Sequence, residues 1–294
     1  MRPLAVYNTC EISGKDNLWY YLRAIEHLHA QNAADICVSG CMMKPATKAA
    51  MKAQLPFCTF VWTDEVLPLN VTFNFAVRKM RELRGDYSHY VYFDSGIDVS
   101  GARLTDLLDH CEGDNACVAS IVDTDAGYTW LKIDPPRPGE PPLHLRPGKT
   151  VNMHAQVWTH EFVEQYDGRI LPDVFASDCS EQATPYLCAA IGRRFVLAPV
   201  TFHHAHDMDG GSSGFKRGSG WDCQLFRSPK DIRQLCAEGH ENGWGFEEFS
   251  GHMMHKPEFF NDDGYAKTDQ LYRWLKANLF LQDFDYGAIK HEVA

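Results

Sequence analysis

No run in the 294-residue chain approaches the roughly 18 consecutive apolar side chains of a membrane-spanning helix. The first residues, MRPLAVYNTCEISG, have neither the apolar core of about 7–15 residues nor the small-residue cleavage site of a secretory leader. Positive charge is scarce as well. The 28 Lys and Arg face 39 Asp and Glu, for a formal net charge of −11, and an acidic surface attracts neither nucleic acid nor an anionic membrane. The ten cysteines include no Cys-x-x-Cys pair, and Cys10, Cys37, Cys58, Cys117 and Cys188 sit inside apolar runs as small hydrophobes. There is no internal repeat. The expectation is a soluble, cytoplasmic chain with reduced thiols, no nucleic-acid partner and no transmembrane segment.

The 45% hydrophobic content is enough for one large core, so residues 1–294 are expected to form a single domain. Leu4 to Thr9 is a short apolar run stopped by Ser13-Gly14, and Asn17 to Gln31 carries Leu18, Leu22, Ile25 and Leu28 at helical spacing. The same alternation continues. Strands are predicted at 34–39, 57–62 and 87–93, with helices at 46–54 and 73–83 between them, the last closed by Gly85. Such alternation implies a mostly parallel sheet flanked by helices. Beyond residue 100 the order loosens, with a helix over 104–111 and strands over 116–122, 151–158 and 195–202. Helices are expected over 159–166, from about Pro185 to Ile191, and over 268–279. Five prolines between Asp134 and Pro142 exclude helix and central strand there and predict a stiff exposed loop. The Gly/Ser-rich stretch 210–220 reads as a mobile loop ahead of C-terminal helices, one of them after Ser228-Pro229.

Two of these strands end in metal-type ligands. YVYFDSGIDVS runs from strand-forming Tyr90–Phe93 into Asp94 and Asp98, and the strand ending at Phe202 runs into His203, His204 and His206. Carboxylates and imidazoles at the carboxyl ends of strands suit Mn²⁺ or Mg²⁺ carrying a substrate's phosphates. Taken singly, Asp-Ser-Gly is also ordinary turn chemistry, and a histidine cluster is also an ordinary surface loop. In an unbroken strand Asp94 and Asp98 would stand about 13 Å apart, too far to share an ion. Gly96 must therefore break the strand.

The order of these parts resembles the GT-A-fold glycosyltransferases that use nucleotide-sugar donors. The residues that carry the resemblance are Asn74 to Arg81, Gly85 to Tyr87, Tyr90 to Asp98, Asp178 to Gln182 and His203 to His206. It covers about residues 4–210, with one departure: Gly96 stands where the second acid of an Asp-x-Asp pair is expected. The resemblance implies a Rossmann-like α/β sheet with a nucleotide-binding half over about 1–100, an acceptor and catalytic half over about 101–210, and a mobile loop with helices over 211–294. It implies a divalent ion, Mn²⁺ or Mg²⁺, held by Asp94, Asp98, His204 and His206, and a donor, a UDP-sugar first, near Thr9, Arg78, Asp94, Lys216 and Arg217. Arg78 falls on the helix before the acid strand, where one charge on a solvated face is the more ordinary reading. An inverting transfer to a glycan or glycolipid hydroxyl needs a base, for which the resemblance points to Glu181 and then Asp178; Asp-x-x-Glu is also a capping-box start of a helix. Trp221 is the aromatic expected to meet the acceptor sugar. A sugar-nucleotide pyrophosphorylase shares the fold, but no glycine-rich nucleotide loop follows the first strand. A metal-dependent hydrolase or iron oxygenase would use the same His/Asp set on a different scaffold.

Overall fold

The structure, a computed structural model, describes residues 1–10, 18–41, 43–64, 67, 69–124, 133–149, 154–173, 180–204, 257–262, 265–280 and 285–294. In chain order the strands are β1 (Leu4–Cys10), β2 (Asp35–Cys41), β3 (Thr59–Thr63), β4 (His89–Phe93), β5 (Ile97–Asp98), β6 (Asn115–Thr124), β7 (Leu143–His144), β8 (Ala155–Thr159), β9 (Arg194–His204) and β10 (His291–Val293). The helices are α1 (Leu18–Ala30), α2 (Pro45–Gln54), α3 (Leu69–Arg84), α4 (Leu104–Leu108), α5 (His160–Gln165), α6 (Ser180–Ala190) and α7 (Thr268–Leu279).

All ten strands join one sheet in the order β10-β3-β2-β1-β4-β8-β6-β9-β5, with β7 also on β9. Most ladder positions are parallel: β1 with β2 and β4, β2 with β3, and β6 with β9. The antiparallel members are β8, inserted between β4 and β6, and the short edge strands β5, β7 and β10. Register on β9 shifts where Pro199 interrupts the ladder, since proline has no N–H to give.

Alternation along the strands divides the core between the two faces. Leu4 and Val6 of β1, Tyr90 and Tyr92 of β4 and Trp158 of β8 pack under α3, α5, α6 and α7 with Phe73, Phe162, Leu187 and Leu271. Ala5, Tyr7, Val91, Phe93 and Val157 point the other way, against Ile25, Leu28, Met51 and Leu104 of α1, α2 and α4. Each such fully buried large side chain contributes about 1.5–3 kcal/mol from apolar burial. The six described free cysteines are mostly part of this core, and burial raises the thiol pKa of Cys37, Cys58, Cys111 and Cys117, which keeps them protonated and inert.

Several boundaries differ from the sequence expectation for identifiable reasons. β3 begins at Thr59 because Phe57 leaves the strand to stack on His29, with ring centroids 3.6 Å apart. α3 begins at Leu69, and its buried Asn74 binds the chain near residue 170: its Oδ1 accepts from Ile170 and Leu171 N–H (3.0 and 3.1 Å), and its Nδ2 donates to Leu171 O and Asp173 Oδ1. α6 begins at Ser180, before Pro185. Pro185, the sixth residue of the helix, has no N–H to give to the carbonyl of residue 181 and so interrupts the ladder just after the first turn. Residues 133–142 form an exposed irregular loop as predicted, with a turn closed by Glu140 N–H to Arg137 O (2.9 Å) and Gly139 at φ 87°.

Candidate metal centre

β4 stops at Phe93, and the chain turns at once. Ile97 N–H donates to Asp94 O (3.1 Å), and β5 leaves to pair antiparallel with the end of β9, Ile97 opposite His204 and Asp98 opposite His203. Two buried tyrosines from the β1–α1 side pin this turn. Tyr7 Oη donates to Ile97 O (3.1 Å) and lies 3.3 Å from Ser95 O, while Tyr20 Oη donates to Gly96 O (2.6 Å). Gly96 is required by space: a Cβ there would lie 2.5 Å from His204 Nε2 and 2.6 Å from its Cε1. The strand break that the Asp94–Asp98 spacing demands is thus a glycine turn against which an imidazole rests.

Three ligand atoms converge at this turn. Asp94 Oδ2 lies 3.0 Å from His154 Nδ1 and 3.8 Å from His204 Nε2, and the two imidazole centroids are 4.7 Å apart. One atom from each of Asp94, His154 and His204 falls within 4.8 Å of the others. The second carboxylate oxygen, Oδ1, accepts from Ser95 N–H (2.8 Å) and Tyr92 Oη (3.2 Å), and Asp94 N–H donates to His154 O (2.9 Å). Burial pushes the Asp94 carboxyl up in pKa, but the two imidazoles outweigh it and hold it well below its usual value, as an anion. One carboxylate and two imidazoles are a fitting donor set for a divalent transition metal, and the missing Cβ at residue 96 is what lets the third ligand approach.

Asp94 and His204 are thus brought together, whereas Asp98, His203, Thr9 and Arg78 have other partners. Asp98 turns its Oδ1 to Ser100 N–H (2.8 Å), and despite some burial the Ser100 bonds lower its pKa. His203 pairs its Nδ1 with Asp123 Oδ1 (3.0 Å), away from the centre. Thr9 is fully buried and donates to Ser39 O (2.8 Å), so its side chain is committed to the β1–β2 pair. Arg78 pairs with Glu82 (2.9 Å) and lies over the Tyr286 ring. It lines a cavity with Arg81, Gly85 and Asp86, ahead of the amino end of β4 and so at the opposite end of the sheet from Asp94. Arg78 is therefore a helix-face charge and not a phosphate ligand of this centre. The backbone of Glu181 belongs to α6, its side chain lies outside the described residues, and so do Asp178, His206, Lys216, Arg217 and Trp221.

His154 is the member of this cluster that the sequence does not single out. It immediately precedes β8, and because β8 runs antiparallel to β4, its beginning lies beside the end of β4. A second carboxylate–imidazole group, Asp86, His160 and Glu164, is of a different kind. The guanidinium of Arg81 pairs with both of its acids and takes the place a cation would occupy.

No protein-family model matches the chain, and no curated protein matches it. Solved structures do. TarS of S. aureus, residues 1–349, superposes with a TM-score of 0.52 at 9% identity, covering 87% of this chain and 75% of that one. Mannosyltransferase PcManGT from Pyrobaculum calidifontis, in complex with GDP-Man and Mn²⁺, superposes with a TM-score of 0.51 at 14% identity, over 95% of this chain and 84% of that one. The parallel β3-β2-β1-β4 half, the inserted antiparallel β8 and the likeness to these structures establish that the chain has the GT-A fold of nucleotide-sugar glycosyltransferases.

Proposed function

We propose that the chain is a metal-dependent glycosyltransferase that moves a sugar from a nucleotide-sugar donor to a hydroxyl of a glycan or glycolipid, inverting the anomeric centre. The observation that carries this reading is the Asp94–His154–His204 cluster at the carboxyl end of the parallel strands, where sheets of this kind gather their ligands. A divalent ion bound there supplies charge neutralisation at the donor diphosphate without needing a proton. Two imidazoles in the set favour Mn²⁺ over Mg²⁺, which prefers oxygen ligands and retains its waters.

The protein's own groups do the rest. Ser95 N–H and Tyr92 Oη fix one oxygen of Asp94, which leaves the other to the centre. The nucleoside is placed at the end of β1, beside Thr9, with Lys216 and Arg217 as further cationic partners of the diphosphate. In the transfer, the acceptor oxygen bonds to the anomeric carbon, its proton passes to a carboxylate, and the bond from that carbon to the diphosphate oxygen breaks with its electron pair. Glu181, and after it Asp178, is the proposed base. α6 is joined to β9 by a turn of only three residues, 191–193, and runs antiparallel to it, so its amino end points toward the end of the sheet that carries His204.

Thermal melting with Mn²⁺ and a nucleotide panel tests this. UDP is the first donor nucleotide to try, and GDP the second, because PcManGT holds GDP-Man. A rise in Tm with nucleotide that requires the metal is expected, since a ligand of the native state stabilises it. Asp94→Ala should abolish that rise and all transfer while the protein stays folded; undiminished turnover would refute the assignment. The same two-histidine, one-carboxylate set also suits non-haem iron. A Tm response confined to Fe²⁺ with 2-oxoglutarate would favour that chemistry instead. Among the described residues no helix is long and apolar enough to cross a membrane.

A further inference from the structure

At the other end of β9 lies a cavity of about 780 Å³ that the transfer chemistry does not use. Its walls are β7, the start of β9, residues 257–262 and 265–266, and the amino end of α7. Arg194 opens β9 and His204 closes it, so at about 3.3 Å per residue the cavity is on the order of 30 Å from the metal-type cluster.

Three arginines line it, in a chain whose net charge is −11. Arg193 is satisfied by Asp114 (3.0 Å) and Glu161 (2.7 Å). Arg146 and Arg194 differ: among the described residues neither has a carboxylate within ion-pair reach. The guanidinium of Arg146 lies over the ring of Tyr265, 5.7 Å from its centroid, and Tyr265 is itself 58% exposed. Asp262 is the one acid among the described lining residues. His144 lies in the same field: burial pushes its imidazole pKa down, and Arg194 and Arg146 push it further in that direction. Thr268, the first residue of α7, also lines the cavity. No side chain caps that helix start, so its partial positive charge adds to the same field, offset in part by Asp269 in the first turn.

Guanidiniums with no carboxylate partner among the described residues select an anion, and a cavity of this volume holds an organic ligand larger than a bare ion. The exposed face of an aromatic ring beside a cationic pair suits a sugar that carries an acidic group. We propose that this cavity is a second ligand site, separate from the Asp94 cluster, that takes an acidic saccharide whose anionic group pairs with Arg146 and Arg194 and whose ring lies against Tyr265. The choice of a saccharide over another organic acid rests on the transferase reading, whereas the preference for an anion does not.

Binding to the full-length chain at low ionic strength tests it, with hexagalacturonate and glucose 6-phosphate as acidic probes, and maltohexaose and inorganic phosphate as comparisons. The wild type should bind at least one acidic saccharide and bind it more tightly than either comparison. Arg146→Ala and Arg194→Ala should each weaken binding about tenfold, and the pair about 100-fold. Arg103→Ala, a change to an exposed arginine paired with Asp106 elsewhere on the surface, should stay within twofold. Asp94→Ala should bind like the wild type, so failure of the transfer chemistry and failure of this site are told apart. Four results would overturn the proposal: no binding of either acidic saccharide, an unaffected double variant, an equal loss in Arg103→Ala, or inorganic phosphate or maltohexaose binding as tightly as the acidic probes.

Discussion

Replacing Gly96 by alanine adds one methyl group at the closest approach in the candidate centre. The new Cβ would lie 2.5 Å from His204 Nε2, 2.6 Å from Cε1 and 3.0 Å from Cδ2, where ordinary contact begins at 3.4 Å. Something must retreat by about 1 Å. The turn itself is poorly able to do so, because its carbonyls at Ser95, Gly96 and Ile97 are engaged by the hydroxyls of Tyr7 and Tyr20. The displacement therefore falls mainly on the His204 ring. Metal–ligand bonds tolerate errors of only about 0.2 Å, so the variant loses one ligand in effect. Disturbing the support of a metal ligand costs about 10–100-fold in affinity, equivalent to about 1.4–2.7 kcal/mol. Overpacking at the turn should cost about 1–3 kcal/mol of global stability. Calorimetric titration of Mn²⁺ in the presence of nucleotide, paired with urea unfolding, measures both quantities. Gly101→Ala is the matched control, since a Cβ there meets nothing within 4 Å. A folded Gly96→Ala protein that binds Mn²⁺ within twofold of the wild type would refute the geometry.

Three further perturbations separate ligands from their supports. Tyr7→Phe leaves the buried carbonyl of Ile97 and the half-buried one of Ser95 without its hydroxyl and should cost about 1–3 kcal/mol in urea unfolding; no loss of stability would show that the turn is not held from β1. His154→Ala should raise the Mn²⁺ dissociation constant at least tenfold, while Asp98→Asn, whose carboxylate serves Ser100, should leave it within about threefold; the reverse ranking would exchange their roles. Asp173 is fully enclosed, and burial raises its carboxyl pKa above the ordinary 3.8 despite bonds from Tyr286, Arg169 and Asn74. A raised folded value gives stability that is present below pH 3.8 and lost as pH rises through that value. The stability advantage of the wild type over Asp173→Asn should therefore shrink as pH rises from about 3.8, and an advantage that grows would contradict it.

The first hundred residues were legible because each strand and helix there follows its own hydrophobic period. Leu18, Leu22, Ile25 and Leu28 mark α1, and Tyr90 to Phe93 mark β4, up to the acid that ends it. The second half was less legible because β8 reverses direction, and direction leaves no trace in a short apolar run. Had Ala155–Thr159 been taken as antiparallel to β4, His154 would have stood beside Asp94 on paper. Spacing alone showed that Asp94 and Asp98 cannot share an ion across an unbroken strand, yet it could not tell which of them turns back. The choice falls to hydrogen bonds from Ser95 and Ser100, local groups that say nothing about the ion until the turn is built. Arg78 reads two ways in the sequence, and the spacing does not show that it lies toward the amino end of β4, away from Asp94.

β3 would be an edge, with a row of free amides and carbonyls, were β10 not laid antiparallel along it. That seal is fastened by Lys48 and Lys52 to Glu292, with Lys48 and Glu292 244 positions apart in the chain. Contacts so distant in sequence form late, because a long loop must close before they yield anything. Until they do, residues 59–63 remain an open template for a neighbouring chain, which makes this border, rather than the buried centre, the place where crowded refolding would go astray.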